Sequence, residues 1–336
     1  KNMKQEGMKQ VYFVGIGGIG MSALARYYQH QGWTVAGYDL TPSPLTQQLE
    51  REGMAIHYED QPELLPALIH LAIYTPAVPQ DLNELKELRR RGVTLMKRAE
   101  ALGAISKNHY TIAVAGTHGK TTTTAMVAHI LHQNGVDMTA FIGGIANNFN
   151  SNLHLGCGEE SVLVVEADEY DRSFLHLSPN ISVINAIDAD HLDIYGDSQH
   201  LREGFNQFAT LTSDFVLCKE DLALETEAVP VQRFGFDEGN AFQAIDIRQQ
   251  KGETDFCLVS DEGVTPVHLN IAGRHNVLNA TAAFAATATL GLLPNEIASA
   301  LSTFTGVKRR FDIKVKNDHY CYIDDYAHHP EEIKSC

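Results

Sequence analysis

Residues Thr111 to Val127 read TIAVAGTHGKTTTTAMV: a short apolar run, a glycine turn, one lysine and four threonines, leading into a helical pattern. Strand, tight turn and helix in that order are the opening of an α/β unit. Gly116, Gly119, Lys120 and Thr121 reproduce the end of a Walker loop, although the full GxxxxGK[ST] spacing asks for a glycine where Val114 stands. The stretch is therefore a variant of that loop. Backbone N–H groups from Gly116 to Lys120 can cradle phosphates, Lys120 can reach the β and γ oxygens, and the Thr121 hydroxyl can bind Mg²⁺. A glycine turn of purely structural purpose rarely joins Gly-Lys to a threonine at a helix start.

Upstream, residues 10–106 alternate strand-like runs (VYFVG, TVAGYD, LAIYT, VTLM) with helical ones (MSALARYYQHQ, LTQQLERE, LNELKELRRR). Such alternation predicts a parallel sheet wrapped by helices, a Rossmann-like unit. It opens with VYFVGIGGIGMSAL, where Gly15, Gly17 and Gly20 fit GxGxxG between a strand and a helix. Asp39 ends the next strand near where a ribose-binding acid would stand. Taken alone, this pattern suggests NAD. The physics is less selective, because glycines let any diphosphate approach the N–H groups of a helix start.

Downstream, SVLVVEAD, NISVINAI and DFVLC read as strands, residues 229–269 as short strands and hairpins, and HNVLNATAAFAATATLG and PNEIASALSTF as helices. A basic cluster, Lys308 to Arg310, precedes a final strand, YCYIDD. The strand VLVVEADEYD delivers Glu166 and Asp168 to its carboxyl end, and SVINAIDADHLDIYG delivers Asp188, Asp190, His191 and Asp193. In a parallel sheet those ends face the ligand side, so Glu166 and His191 are the candidates to hold a cation beside the Gly-Lys-Thr turn. Asp168, Glu169 and Asp171 read as readily as a solvated turn.

The chain's 336 residues are 44% apolar, enough for two sizeable cores. Acidic residues outnumber basic ones by 42 to 26, and the net charge of −16 argues against tracking a nucleic-acid backbone. The five cysteines are scattered, with no CxxC pair, as expected of reduced thiols in a cytoplasm. No apolar run approaches a membrane span, and KNMKQEGMKQ reads as a polar tail.

AGTHGKTTTTAM, EADEYDRSFLHLSP, DADHLDIYG, AGRHNVLNATAA, GVKRRFD and DDYAHHP follow one another in an order that resembles the Mur ligase family, and GIGGIGM in front strengthens the likeness. The resemblance runs from about Val11 to the last residue. It implies an α/β protein with an N-terminal Rossmann-like parallel-sheet domain over residues 1–106 and a central P-loop ATPase-type α/β domain with an added small β-sheet over 107–310. Residues 311–336 would begin a further Rossmann-like domain. The first domain would bind the UDP part of UDP-N-acetylmuramate instead of a dinucleotide, through Gly15, Gly17, Gly18, Ile19 and Gly20, with Asp39, Thr75 and Pro76 at neighbouring strand ends. In the central domain the ATP site would comprise Gly116, Thr117, Gly119, Lys120, Thr121 and Thr122, with Lys120 on the phosphates. Thr121 and Glu166 would hold one Mg²⁺, and His191 with Glu166 a second. Asn276 would bind adenine with His275 nearby, Arg310 would contact the γ-phosphate and Asp325 the ribose, and Tyr326 and His328 would lie near the sugar substrate.

The implied reaction is ATP-dependent ligation of L-alanine to the lactyl carboxylate of UDP-N-acetylmuramate through an acyl phosphate, with Lys120, Glu166, His191 and Arg310 as the catalytic set. Lys120→Ala is expected to leave the fold intact and abolish phosphate release. The family carries a third domain, and this sequence stops about one strand and the start of a helix into it, so the chain alone is expected to ligate poorly. The alternatives are a ligase joining a recovered tripeptide to the same UDP-sugar, a non-catalytic nucleotide-binding remnant and, more distantly, an NAD dehydrogenase, which leaves GTHGKT unexplained.

Overall fold

A computed structural model describes residues 8–158, 160–187, 198–224, 226–227, 229–310, 312–317 and 319–326. The chain divides into two compact units, Lys1–Ile105 and Ser106–Cys336.

In the first unit, β1 (Gln10–Val14), β2 (Thr34–Tyr38), β3 (Ala55–His57), β4 (Leu71–Tyr74) and β5 (Leu95–Lys97) form one parallel sheet in the order β3-β2-β1-β4-β5. The helices are α1 (Ile19–His30), α2 (Pro44–Arg51), α3 (Asn83–Arg90) and α4 (Arg98–Ser106), the last ending across the boundary between the units. β1 is central and buried on both faces, which is why its sequence is a continuous apolar run. Its core side holds a buried polar contact. The Tyr12 hydroxyl donates to Glu84 Oε2 at 2.6 Å, and His57 Nε2 lies 2.5 Å from Glu84 Oε1. The strand β3 and the helix α4 were not legible in the sequence, β3 being only three residues long.

The second unit is organised by β6 (Thr111–Ala115) and α5 (Lys120–Gln133), the strand and helix of the opening stretch. All five residues of β6 are buried, and Thr121 to Leu131 are buried around the whole circumference of α5. A helix buried on every face belongs inside a domain, so packing holds α5 in place although its four leading threonines are poor helix formers. Around it lie β7 (Met138–Ala146), β8 (Ser151–His154), β9 (Val162–Glu166), β10 (Ile181–Ile184), β11 (Phe215–Lys219), β12 (Val231–Gly235), β13 (Phe242–Gln250), β14 (Glu253–Ser260) and β15 (Gly263–Leu269). Among the described residues the sheet order is β15-β14-β13-β12-β11-β10-β6-β9-β7-β8. The β7 to β12 strands run parallel where they pair, except that β8 turns back on β7. The antiparallel β13–β15 form the added small sheet, joined to the parallel strands through Phe234–Phe242 and Gly235–Gln243.

The helices α6 (Ser198–Thr210), α7 (Arg274–Thr289) and α8 (Pro294–Leu301) complete the unit, and β16 (Asp312–Lys316) pairs with β17 (Cys321–Asp324). The β7–β8 hairpin was not read from sequence, because Gly143 and Gly144 interrupt its apolar pattern. No helix among the described residues is long and apolar enough to cross a membrane.

Candidate functional site

β6 lies between β9 and β10; the chain runs from it to β7, β8 and β9 on one side and then crosses to β10 on the other, and such a switch of direction opens a crevice at the carboxyl end of β6. The turn Gly116–Gly119 fills that point. Gly116 adopts φ +135° and Gly119 φ +76°, both in the left-handed region that favours glycine. A Cβ on Gly116 would press on Ala186 N at 2.9 Å, and one on Gly119 would overlap Asn279 Oδ1 and meet Asn185 Nδ2 at 3.0 Å. Thr117 N–H is already committed to Ala186 O at 3.0 Å. The first bond within α5 runs from Thr123 N–H to Gly119 O, also 3.0 Å. The amides of Lys120, Thr121 and Thr122 therefore lead the helix with no acceptor inside it, the arrangement that receives an anion.

Lys120, Thr121 and Glu166 meet as the sequence suggested. The Thr121 hydroxyl donates to Glu166, 3.0 Å from Oε2 and 3.2 Å from Oε1, and Gly143 N–H donates to Oε2 at 2.8 Å. Burial pushes the Glu166 carboxyl up from its ordinary range, against the opposing pull of the Lys120 ammonium, the Thr121 hydroxyl and the Gly143 amide. Lys120 Nζ is anchored by Gly116 O at 2.7 Å and by both carboxylate oxygens of Glu169, at 2.9 and 3.1 Å. Glu169 is 1% exposed, which corrects its reading as part of a solvated turn. The same pair revises the expectation for Lys120→Ala, since removing the lysine leaves a buried carboxylate without its cation.

Sequence reasoning also missed the polar floor of the turn. Asn185 Nδ2 donates to Thr123 Oγ1 at 2.9 Å, and Thr123 Oγ1 donates to Asn279 Oδ1 at 3.3 Å. Asn279 reaches back to Asn276 Oδ1 at 3.4 Å, so the start of α7 is tied to the start of α5. The one available signal was the three-residue spacing of Asn276 and Asn279, which puts them on one helix face. Asn276 is buried and donates to Ala272 O at 2.7 Å, with His275 beside it in sequence. Val307 carries the basic segment to the site. A Cβ on Gly144 would sit between Val307 Cγ1 at 3.2 Å and Thr121 Cγ2 at 3.3 Å, and Arg310 N–H bonds to Val307 O at 3.1 Å. The Arg310 side chain is exposed. Tyr326 N–H donates to Arg309 O at 2.8 Å, which places Asp325 and Tyr326 next to this segment. His191 and His328, with Asp188, Asp190 and Asp193, lie outside the described residues. Among those described, no group of three or more His, Cys, Asp or Glu side chains is placed to hold a metal.

In the first unit Gly15, Gly17, Asp39 and Thr75 are brought together. Gly15 has φ +87°, and a Cβ there would meet Thr75 Cγ2 at 2.8 Å. The Asp39 carboxylate accepts from Gly17 N–H at 2.7 Å and so braces the turn from within. Gly18 caps α1 and Ile19 is exposed beside it. Pro76 is exposed after β4. Arg98, absent from the sequence reading, has its guanidinium 3.1 Å from where a Gly20 Cβ would be.

A glycine turn that feeds a buried helix at a switch point of the sheet, with lysine, hydroxyl and carboxylate converging there, defines a nucleotide-binding α/β protein of the P-loop kind. Residues 114–287 match the Mur ligase middle domain and residues 10–110 the Mur ligase family catalytic domain, and the chain belongs to the Mur ligase family. It is 45% identical over 335 residues to the UDP-N-acetylmuramate–L-alanine ligase of Flavobacterium johnsoniae, covering 98% of this chain and 73% of that protein. It is 47% identical over 330 residues to the ligase of the same name from Flavobacterium psychrophilum, covering 97% and 72%. Among solved structures it is similar to the UDP-N-acetylmuramate-alanine ligase of Thermotoga maritima, with a TM-score of 0.82 and 32% identity over 98% of this chain and 76% of that one. A murein peptide ligase from Psychrobacter arcticus also gives 0.82, at 27% identity over 97% and 74%.

Proposed function

We propose that the chain performs the ATP-dependent ligation of L-alanine to UDP-N-acetylmuramate, a step in the assembly of peptidoglycan precursors. The observation that carries this reading at the site is the convergence of Lys120, Thr121 and Glu166 on a glycine turn that opens a helix. The names of these relatives favour L-alanine over a tripeptide as the acceptor's partner.

The turn and the leading amides of α5 hold the triphosphate, and Lys120 neutralises charge on the γ-phosphoryl group as it moves. That group passes from ATP to the lactyl carboxylate, leaving ADP and an acyl phosphate. The amine of L-alanine attacks the acyl carbon, the tetrahedral intermediate expels phosphate, and the amine proton is lost as the amide forms. A carboxylate is a poor electrophile until phosphorylated, which is why ATP is needed.

Thr121 and Glu166 suit Mg²⁺, because a hydroxyl and a carboxylate within 3.2 Å of each other are the hard oxygen donors that ion takes. Bound there, Mg²⁺ would offset the negative charge of the phosphates. His191 is proposed as a ligand of a second ion, Asn276 and His275 as the adenine contacts, Arg310 as a γ-phosphate contact and Asp325 as a ribose contact. In the first unit, Gly15 to Gly20 are proposed to receive the diphosphate of the UDP-sugar, with Asp39, Thr75 and Pro76 as neighbouring contacts; Tyr326 and His328 are proposed as residues for the sugar substrate. Its substrates, ATP and a nucleotide sugar, assign the reaction to the cytoplasm.

The test is phosphate release from ATP by the full-length protein in the presence of UDP-N-acetylmuramate, with L-alanine, the tripeptide or no amine. Release dependent on L-alanine is the expected result. Release dependent only on the tripeptide, or none with either amine, would overturn the proposal.

A further inference from the structure

The Lys120 ammonium is held between two protein acceptors, Gly116 O and the Glu169 carboxylate, whose two oxygens both lie within hydrogen-bond distance of Nζ. A phosphate oxygen arriving at Lys120 must therefore compete with a carboxylate that is almost wholly buried and cannot be diluted away by water. A second carboxylate, Glu166, is near enough for its charge to be coupled to Lys120, yet it is bonded to Thr121 and Gly143 instead.

The segment carrying Glu169 is strained. Asp171 and Arg172, immediately after it, have φ of +51° and +54°, two successive non-glycine residues in the left-handed region. Such a conformation is strained and concentrates at sites that switch. The turn is pinned from both ends, by Phe174 N–H to Asp168 O at 2.8 Å and by Arg172 N–H to Glu169 O at 3.0 Å. Phe174 is in turn packed against Phe205 and Phe208.

We infer that Glu169 is a positioning residue that stands in for a phosphate at Lys120 when no nucleotide is bound. It holds the ammonium at the Gly116 carbonyl and keeps it off Glu166, which stays available for the cation. The arriving triphosphate displaces the Glu169 carboxylate, and the strained 168–172 turn relaxes as it gives way. Glu169 thus sets the affinity of the phosphate site below what Lys120 and the helix amides would give alone. This rests on the reading that the GTHGKT turn holds a triphosphate.

The test is the binding of inorganic tripolyphosphate, without Mg²⁺ or turnover, to the wild-type chain and to Glu169→Gln, Glu169→Asp and Lys120→Met, alongside thermal unfolding of each. Glu169→Gln should bind tripolyphosphate about tenfold more tightly, the worth of one charge-assisted contact no longer in competition. Its unfolding temperature should fall, since Lys120 loses its partner. Glu169→Asp, a methylene shorter, should lie between it and the wild type, and it carries the test alone if the glutamine variant does not fold. A residue that is merely structural would lower stability and affinity together. Unchanged or weaker binding in the Glu169 variants, with binding lost in Lys120→Met, would overturn this inference alone. Full binding in a folded Lys120→Met would overturn the triphosphate reading itself.

Discussion

Gly119→Ala and Gly135→Ala form a matched pair at the two ends of α5. Both glycines have left-handed φ, +76° and +69°, so each alanine meets the same backbone penalty of about 1–2 kcal/mol and the same partial offset from the unfolded chain. Only the surroundings differ. Nothing lies within 4 Å of a Cβ at Gly135, whereas a Cβ at Gly119 overlaps Asn279 Oδ1 and crowds Asn185 Nδ2 at 3.0 Å. Moving Asn279 aside breaks its bond to Thr123, worth about 1 kcal/mol more. Gly119→Ala should therefore cost about 2–3 kcal/mol, lowering the melting temperature of this unit by about 5–10 °C, and Gly135→Ala about half as much. Because the displaced group supports the start of α5, Gly119→Ala should also weaken ATP binding tenfold or more, and Gly135→Ala should leave it unchanged. Differential scanning calorimetry with nucleotide titration measures both. Equal melting temperatures for the two variants, with normal ATP affinity in Gly119→Ala, would refute the packing described for the turn.

Lys120→Met should destabilise the fold by about 3 kcal/mol, the effect of stranding a buried carboxylate, and Lys120→Met with Glu169→Gln should recover most of it in chemical unfolding. Gly143→Ala places a Cβ into the Glu166 carboxylate, so Mg²⁺-dependent ATP binding should weaken about tenfold or more while tripolyphosphate binding without Mg²⁺ is nearly unchanged. His129 is buried against Phe304, with Nε2 2.8 Å from Thr303 Oγ1, and burial holds its pKa below the ordinary value of 6.5. The unfolded chain therefore takes up the proton first, and stability should fall as pH drops below 6.5 toward the lowered folded value. Unfolding free energies of the wild type and His129→Gln should diverge at neutral pH and converge in that acid window.

The opening stretch was legible because consecutive residues carry it: β6, the two glycines and Lys120 need no distant partner to be recognised. Glu166 was legible for a related reason, since an apolar run that ends in an acid marks a strand tip. Glu169 was not, because DEYD has the composition of a solvated turn, and only its pairing with a lysine far away in the chain buries it. Asn185 and Asn279 escaped notice because their role appears only when β10, α5 and α7 come together. In the first unit the glycines fall between β1 and α1 as the pattern indicated, Asp39 accepts from Gly17 N–H and braces the turn, and Arg98 came to Gly20 from a helix the pattern had not announced. The β7–β8 hairpin, which supplies the Gly143 amide to Glu166, was hidden by Gly143 and Gly144, the first making room for that carboxylate and the second for Val307 and Thr121.

The most direct measurement is a crystal structure of the chain with a non-hydrolysable ATP analogue and Mg²⁺. The phosphates are expected on the leading amides of α5 and on Lys120, with a cation between Thr121 Oγ1 and Glu166. A triphosphate located away from the Gly116–Gly119 turn, with Lys120 still paired to Glu169, would contradict it.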